Sequence, residues 1–205
     1  MKITLSDAGK RFNRDWIFRH FTYSFESGKS YAITGPNGSG KSTLLQVLSG
    51  SMHMNEGNIQ YSILNAQRSI ETIYRHVSIC APYLELVEEM TLREFLEFHH
   101  GFKPFLQGIT IDSIVAILGL EKAVDKQIRY YSSGMKQRVK LAQCVFSNTA
   151  IVLLDEPCTN LDAAGIELYQ TLIGEYCSGR LVVVSSNDKV EYSFCNEIIN
   201  ITEYK

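Results

Sequence analysis

Apolar residues fall in short runs that alternate with helical patterns. Residues 30–34 (SYAIT) read as a strand followed by a helix over 42–48. The same succession recurs at 151–154 (IVLL) before a helix over 163–176, and at 181–185 (LVVVS) before a short helix near Val190. Apolar strands that alternate with helices predict an α/β unit around a mainly parallel sheet. The pattern changes between about residues 91 and 148, where helical signals dominate. Thr91 and Glu94 form a capping box that opens a helix with Leu92, Phe95, Leu96 and His99 on one face. A second helix is expected over 110–118, closed by Gly119, and a third over 133–147. Residues 2–25 are β-rich and predict a small antiparallel layer, and a last strand is expected over 197–201.

Composition narrows the function classes. The 205 residues are 45% hydrophobic and 20% charged, enough to bury a substantial core as one domain. A net charge of -2 and a pI near 6.2 lack the basic excess of a nucleic-acid binder, so no nucleic-acid partner is expected. The five cysteines are scattered, without a CxxC pair, and read as reduced packing residues of a cytoplasmic protein. The start lacks the apolar stretch of a signal peptide, and no run reaches the roughly twenty apolar residues of a spanning helix. Membrane association is expected only through a partner. The chain ends soon after the last expected strand, so an added regulatory domain is not expected.

Residues 35–43, GPNGSGKST, satisfy G-x-x-x-x-G-K-[ST] between an apolar strand and an amphipathic helix. Gly35, Gly38 and Gly40 let backbone amides wrap an anion; Pro36, Asn37, Ser39 and Thr43 complete the loop, and the helix that follows points its positive end at the same place. Lys41 is expected on the β and γ phosphates and Ser42 on Mg²⁺, so a nucleoside triphosphate is the expected ligand. Further on, IVLLDEP places Asp155 and Glu156 just past a strand, where such sheets bind ligands. Asp155 suits Mg²⁺, and Glu156 suits the orientation or deprotonation of an attacking water. The expected fold is a P-loop NTPase with a mainly parallel core sheet, a small antiparallel layer and an inserted helical subdomain. The core would comprise about residues 1–88 and 149–205, the helical subdomain about 89–148.

With these motifs in place, the whole chain resembles the ATP-binding cassette family. The decisive stretch is YSSGMKQR, residues 131–138, similar to the family signature with Tyr131, Ser133 and Met135 replacing its usual Leu, first Gly and Gln. Ser132 and Gly134 stand at its functional positions. The resemblance implies ATP as substrate with Mg²⁺. It also implies head-to-tail pairing with a second cassette, in a homodimer or heterodimer, the signature of one chain closing on the γ phosphate held by the other. CTNLD, residues 158–162, resembles the family D-loop with Asp162 at its acidic position, and Phe12 occupies roughly the place of the adenine-stacking aromatic, with Trp16 and Phe18 close by. The implied function is the ATPase motor of a membrane transporter, docked at the inner face of the membrane beneath transmembrane subunits through a surface around residues 83–97. The alternatives are a soluble non-transport cassette ATPase and a partner subunit that only binds ATP.

Two positions depart from the family pattern. The Gln expected after the strand at 77–80 is absent, with Pro82 near its place and no Gln between Gln67 and Gln107, so water, Tyr83 or Glu85 must compensate. The switch His is replaced by Asn187, which can donate a hydrogen bond to a phosphate oxygen but cannot take up a proton as imidazole does. Hydrolysis that is slow or dependent on a partner site is therefore expected, with Glu156 as base.

Overall fold

The computed structural model describes residues 1–63, 66–68 and 72–205. The chain opens with an antiparallel hairpin of β1 (Lys2–Phe12) and β2 (Asp15–Glu26). β3 (Ser30–Thr34) then runs through the glycine-rich loop into α1 (Lys41–Leu48). β4 (Glu56–Ile63) and β5 (Ala66–Arg68) complete an antiparallel sheet in the order β2–β1–β4–β5. β4 is the partner of β1 that the sequence pattern does not announce. Its alternation is confined to Ile59, Tyr61 and Ile63, beside a Gly and polar residues.

After β6 (Val77–Cys80) come three helices, α2 (Leu92–Phe102), α3 (Ile111–Leu118) and α4 (Ser133–Val145). β7 (Ile151–Asp155), α5 (Ala163–Tyr176), β8 (Leu181–Ser185), α6 (Lys189–Tyr192) and β9 (Glu197–Asn200) complete the chain. The five strands β6–β7–β8–β3–β9 pair in parallel in that order. Because side chains alternate along a strand, this sheet separates two cores. Ile151, Leu153, Leu181 and Val183 pack with α1 and the antiparallel layer, whereas Val152, Leu154, Val182 and Val184 pack with α2 to α5. Among the described residues no helix is long and apolar enough to cross a membrane.

The predicted caps are present: Thr91 and Glu94 form a complete capping box, and Gly119 closes α3 in the left-handed conformation. Two predicted elements end early for identifiable reasons. α4 stops at Val145, short of 147. The buried Arg180 takes the Val145 carbonyl at 2.6 Å and those of Ser147 and Thr149 at 2.9 and 2.7 Å, which holds the chain in a turn. β9 stops at Asn200, whose side chain accepts from the Thr202 amide and starts a final turn that buries Ile201. All five cysteines are free, three buried and two half-buried. Burial pushes the thiols of Cys144, Cys158 and Cys195 up to about 12 and that of Cys177 to about 11, as packing residues require.

His99 ties α2 to the turn after α4. The Ser147 hydroxyl donates to the Gln143 carbonyl, so His99 Nε2 carries the proton of its 2.8 Å bond to Ser147 Oγ. Burial, with Lys103 nearby, lowers the His99 pKa from 6.5 to about 4. As pH falls the unfolded chain takes up this proton first. The stability held by the neutral ring is therefore complete above about pH 6.5 and lost between about 6.5 and 4, on the order of 2 kcal/mol after discounting for partial exposure. Urea midpoints measured from about pH 7 down to 4.5 are expected to fall more steeply for the native chain than for His99→Gln. Parallel profiles would remove His99 as the cause.

Candidate active site

The parallel register sets the site. Ile33 pairs with Ser185, and Ser185 with Asp155, so three strands end side by side and their following loops meet at one edge. From β3 comes the phosphate loop. Its last residue, Gly40, has φ 107°, and a Cβ there would lie 2.2 Å from Ile17 Cγ2 of β2, so only glycine fits between the loop and the antiparallel layer. α1 begins at Lys41 immediately behind, its free amides facing the loop. Lys41 is almost fully buried, and its ammonium lies over the loop on the carbonyls of Gly35 at 2.8 Å and Pro36 at 3.4 Å.

Asn37, Gly38, Ser39, Gly40, Lys41, Ser42 and Thr43 line a cleft of about 200 Å³ together with Ile17 and Glu156. Asn187 closes one side: its Oδ1 accepts from the Gly35 amide at 3.1 Å and its Nδ2 donates to Asn37 Oδ1 at 3.4 Å. Asp155 is 2% exposed, and its Oδ1 makes no hydrogen bond among the described residues, as do Ser39 Oγ and Ser185 Oγ. An unpaired buried carboxylate oxygen at the end of β7, one residue before the cleft-lining Glu156, is a hard oxygen donor of the kind that suits Mg²⁺. Glu156 stands at φ 42°, a left-handed conformation rare outside glycine, with its amide on the Ser185 carbonyl at 2.9 Å.

Ser132, Gly134 and Asp162 lie elsewhere, in a second cleft of about 610 Å³ with Met135, Arg138 and Asn160. Ser132 caps α4 by accepting from the Met135 amide, and Asp162 caps α5 by accepting from the Gly165 amide at 2.8 Å. That amide and Arg138, 3.2 Å away, hold the Asp162 carboxyl below its ordinary value. Phe12 lies at the tip of the hairpin and is 46% exposed, its ring 5.2 Å from Lys10 Nζ. Trp16 has guanidinium groups of Arg11 and Arg19 at 5.4 and 4.5 Å from its ring, and Phe18 is fully buried. Of these aromatics, Phe12 is the most exposed.

Pro82 is exposed, and its carbonyl accepts from Lys140 Nζ of α4 at 3.1 Å. Further residues emerge only in three dimensions. Ile17 seats the phosphate loop. Gln137 of α4 donates to the Pro157 carbonyl at 2.7 Å, and Glu191 of α6 accepts from the Cys158 amide at 2.6 Å. Burial raises the Glu191 pKa. Gln137 and Arg138 fall within the YSSGMKQR stretch, but nothing local in the sequence connects Ile17 or Glu191 to the site.

The chain is similar to known proteins. The model of the ABC transporter family matches residues 18–159. An uncharacterized ABC transporter ATP-binding protein of Bacillus subtilis (strain 168), YhcH, is 27% identical over 193 residues, 90% of this chain, which spans only 61% of that protein. The cytochrome c biogenesis ATP-binding export protein CcmA of Xanthomonas axonopodis pv. citri (strain 306) is 31% identical over 167 residues, 82% of this chain and 77% of CcmA. A solved dimeric bacterial ABC transporter cassette has the same fold, with a TM-score of 0.80 at 23% identity over 97% of this chain and 94% of that one. On its motifs, its fold and these matches, the chain belongs to the ABC transporter ATP-binding subunit family.

Proposed function

We propose that the chain is the ATP-hydrolysing motor subunit of an ABC membrane transporter and works head to tail with a second cassette. The observation that carries the pairing is the separation of two half-sites. The phosphate-loop cleft and the Ser132–Gly134 cleft share no lining residue, so one chain alone does not bring its signature to its own Lys41. A second cassette supplies the missing half to each, and a solved cassette of the same fold is dimeric. The partner is either a second copy of this chain or a different cassette.

In this reading the loop amides of residues 35–43 and the Lys41 ammonium bind the β and γ phosphates. Ser42 and Asp155 would hold Mg²⁺, which would supply charge neutralisation on the phosphate oxygens. Glu156 orients the attacking water and takes its proton. Asn187 keeps its oxygen on the Gly35 amide and donates through Nδ2 to the γ phosphate. Ser132 and Gly134 reach the γ phosphate of the opposite chain, and Asp162 lies at the same interface. Pro82 has no side-chain ligand to offer and Asn187 no imidazole, which together make hydrolysis slow. The helices of about residues 89–148 form a subdomain beside a core of about 1–88 and 149–205. Transmembrane subunits dock around residues 83–97, where Tyr83 and Val87 are exposed, and hold the chain at the inner face of the membrane.

Mg-ATP turnover at protein concentrations that favour dimers tests the assignment. Glu156→Gln is expected to lower turnover at least about a hundredfold while ATP binding persists. Turnover that survives would remove Glu156 as base, and absent turnover in the native chain despite ATP binding would favour a subunit that needs a different cassette or only binds.

The adenine contact has its own test. Phe12→Ala is expected to weaken ATP binding about fivefold to tenfold, since base stacking on an aromatic side chain contributes about 1–3 kcal/mol. Trp16→Ala, which removes a ring approached by two arginines, is expected to stay within about twofold. The reverse order in a fluorescent-nucleotide titration would transfer the role to Trp16.

A further inference from the structure

Glu156 holds its left-handed backbone because its neighbours are fixed on both sides. Its own amide is on the Ser185 carbonyl, and the peptide group between Pro157 and Cys158 is clamped on both edges from different elements: its carbonyl by Gln137 of α4, its amide by Glu191 of α6. Gln137 is 3% exposed, and its amide also lies 3.8 Å from Cys80 Sγ at the end of β6. A buried neutral amide in this position satisfies a carbonyl that would otherwise lack a donor. It also sits on the helix that Ser132 caps, five residues along, about 7.5 Å down a rigid rod.

We infer that Gln137 is a positioning residue that couples the two composite sites, passing the seating of the signature on the opposite chain's nucleotide to Glu156 of its own site. The inference rests on the head-to-tail reading above. When Ser132 and Gly134 close on the opposite nucleotide, α4 moves as a unit, and the Gln137–Pro157 bond carries that displacement to the Pro157–Cys158 peptide, one residue beyond Glu156. Arg138, the next residue on α4, pairs with Asp162 at the far end of the same loop, so α4 grips residues 157–162 at both ends. Gln137 touches no substrate in this scheme; it aims the group that does.

Mixed dimers of differently tagged chains test this, because they separate the site a residue serves from the chain it occupies. In the first arm, a Gln137→Met chain with Glu156 intact pairs with a Glu156→Gln chain. Met keeps the side-chain volume but removes the donor. Single-turnover hydrolysis is expected to fall at least about tenfold relative to the same pair with native Gln137. In the second arm both substitutions sit on one chain, so the acting Glu156 has its native Gln137 while the altered α4 supplies only the signature. That arm is expected within about twofold of the reference. Loss in the second arm, equal loss in both, or loss in neither overturns the inference. A reference pair that forms no ATP-dependent dimer counts against the head-to-tail reading instead. In that case a chain that hydrolyses alone still tests the positioning role: Gln137→Met must lower kcat with the KM for ATP unchanged, and an unchanged kcat overturns it.

Discussion

The register of the parallel sheet is the constraint on which the site depends. Ile33, Ser185 and Asp155 lie in one row across β3, β8 and β7, and the phosphate loop, Asn187 and Glu156 each follow within a few residues of that row. Each functional group is placed by counting from the same line. A slip of one residue in β7 would exchange Val152 and Leu154 with Ile151 and Leu153 between two differently shaped cores, and would turn Asp155 away from the cleft. The two cores thus specify the chemistry without touching it. Each fixes which face a strand presents, and the strand end follows.

Such an edge carries local costs. Asp155, Ser39 and Ser185 each hold a buried oxygen without a hydrogen bond among the described residues, and Glu156 occupies a backbone region that non-glycine residues avoid. These are groups arranged for a ligand rather than for the fold, and they persist because the surrounding structure over-determines them. The opposite end of the sheet shows the reverse economy of polar groups. There the Arg180 guanidinium gives its protons to the carbonyls of Val145, Ser147 and Thr149 and to the Thr149 hydroxyl, and closes the turn between α4 and β7 completely. Polar groups are satisfied where the fold is held and left open where a nucleotide binds.

Much of this was legible in the sequence for physical reasons. The phosphate loop, the strand before it and the helix after it are contiguous, so motif and context confirm one another over residues 30–48. The caps at Thr91 and Gly119 are local geometry and were readable as such, whereas Thr110, expected as the first helical residue, is the N-cap of α3. What escaped depends on contacts between distant segments. Ile17 meets Gly40 only because β2 folds over the loop, and Glu191 meets Cys158 only because α6 packs beside α5. α4 was expected to reach 147. Helix propensity carries no information about a guanidinium 33 residues further on that captures the Ser147 carbonyl. Position alone does not separate Phe12 from Trp16 and Phe18; exposure does, since Phe18 is fully buried and Phe12 is 46% exposed.

The replacement of the expected Gln by Pro82 has a structural counterpart in the same helix that carries the signature. Lys140 Nζ holds the Pro82 carbonyl, and Lys136 Nζ lies 2.5 Å from Glu88 Oε1, so the loop of residues 82–88 is fastened to α4 at two points one helical turn apart. A glutamine side chain at position 82 would link this loop to the metal side of its own nucleotide. With proline there, two of the loop's polar attachments run to α4, beside the hydrogen bond between Tyr83 and Gln46 of α1. α4 in turn is bonded to the Pro157 carbonyl and paired with Asp162, but makes no hydrogen bond to the phosphate loop among the described residues. The loop that presents Tyr83 and Val87 to solvent is therefore tied to the helix that carries the signature, and α4 forms a hydrogen-bonded link from that surface to the residues that follow Glu156.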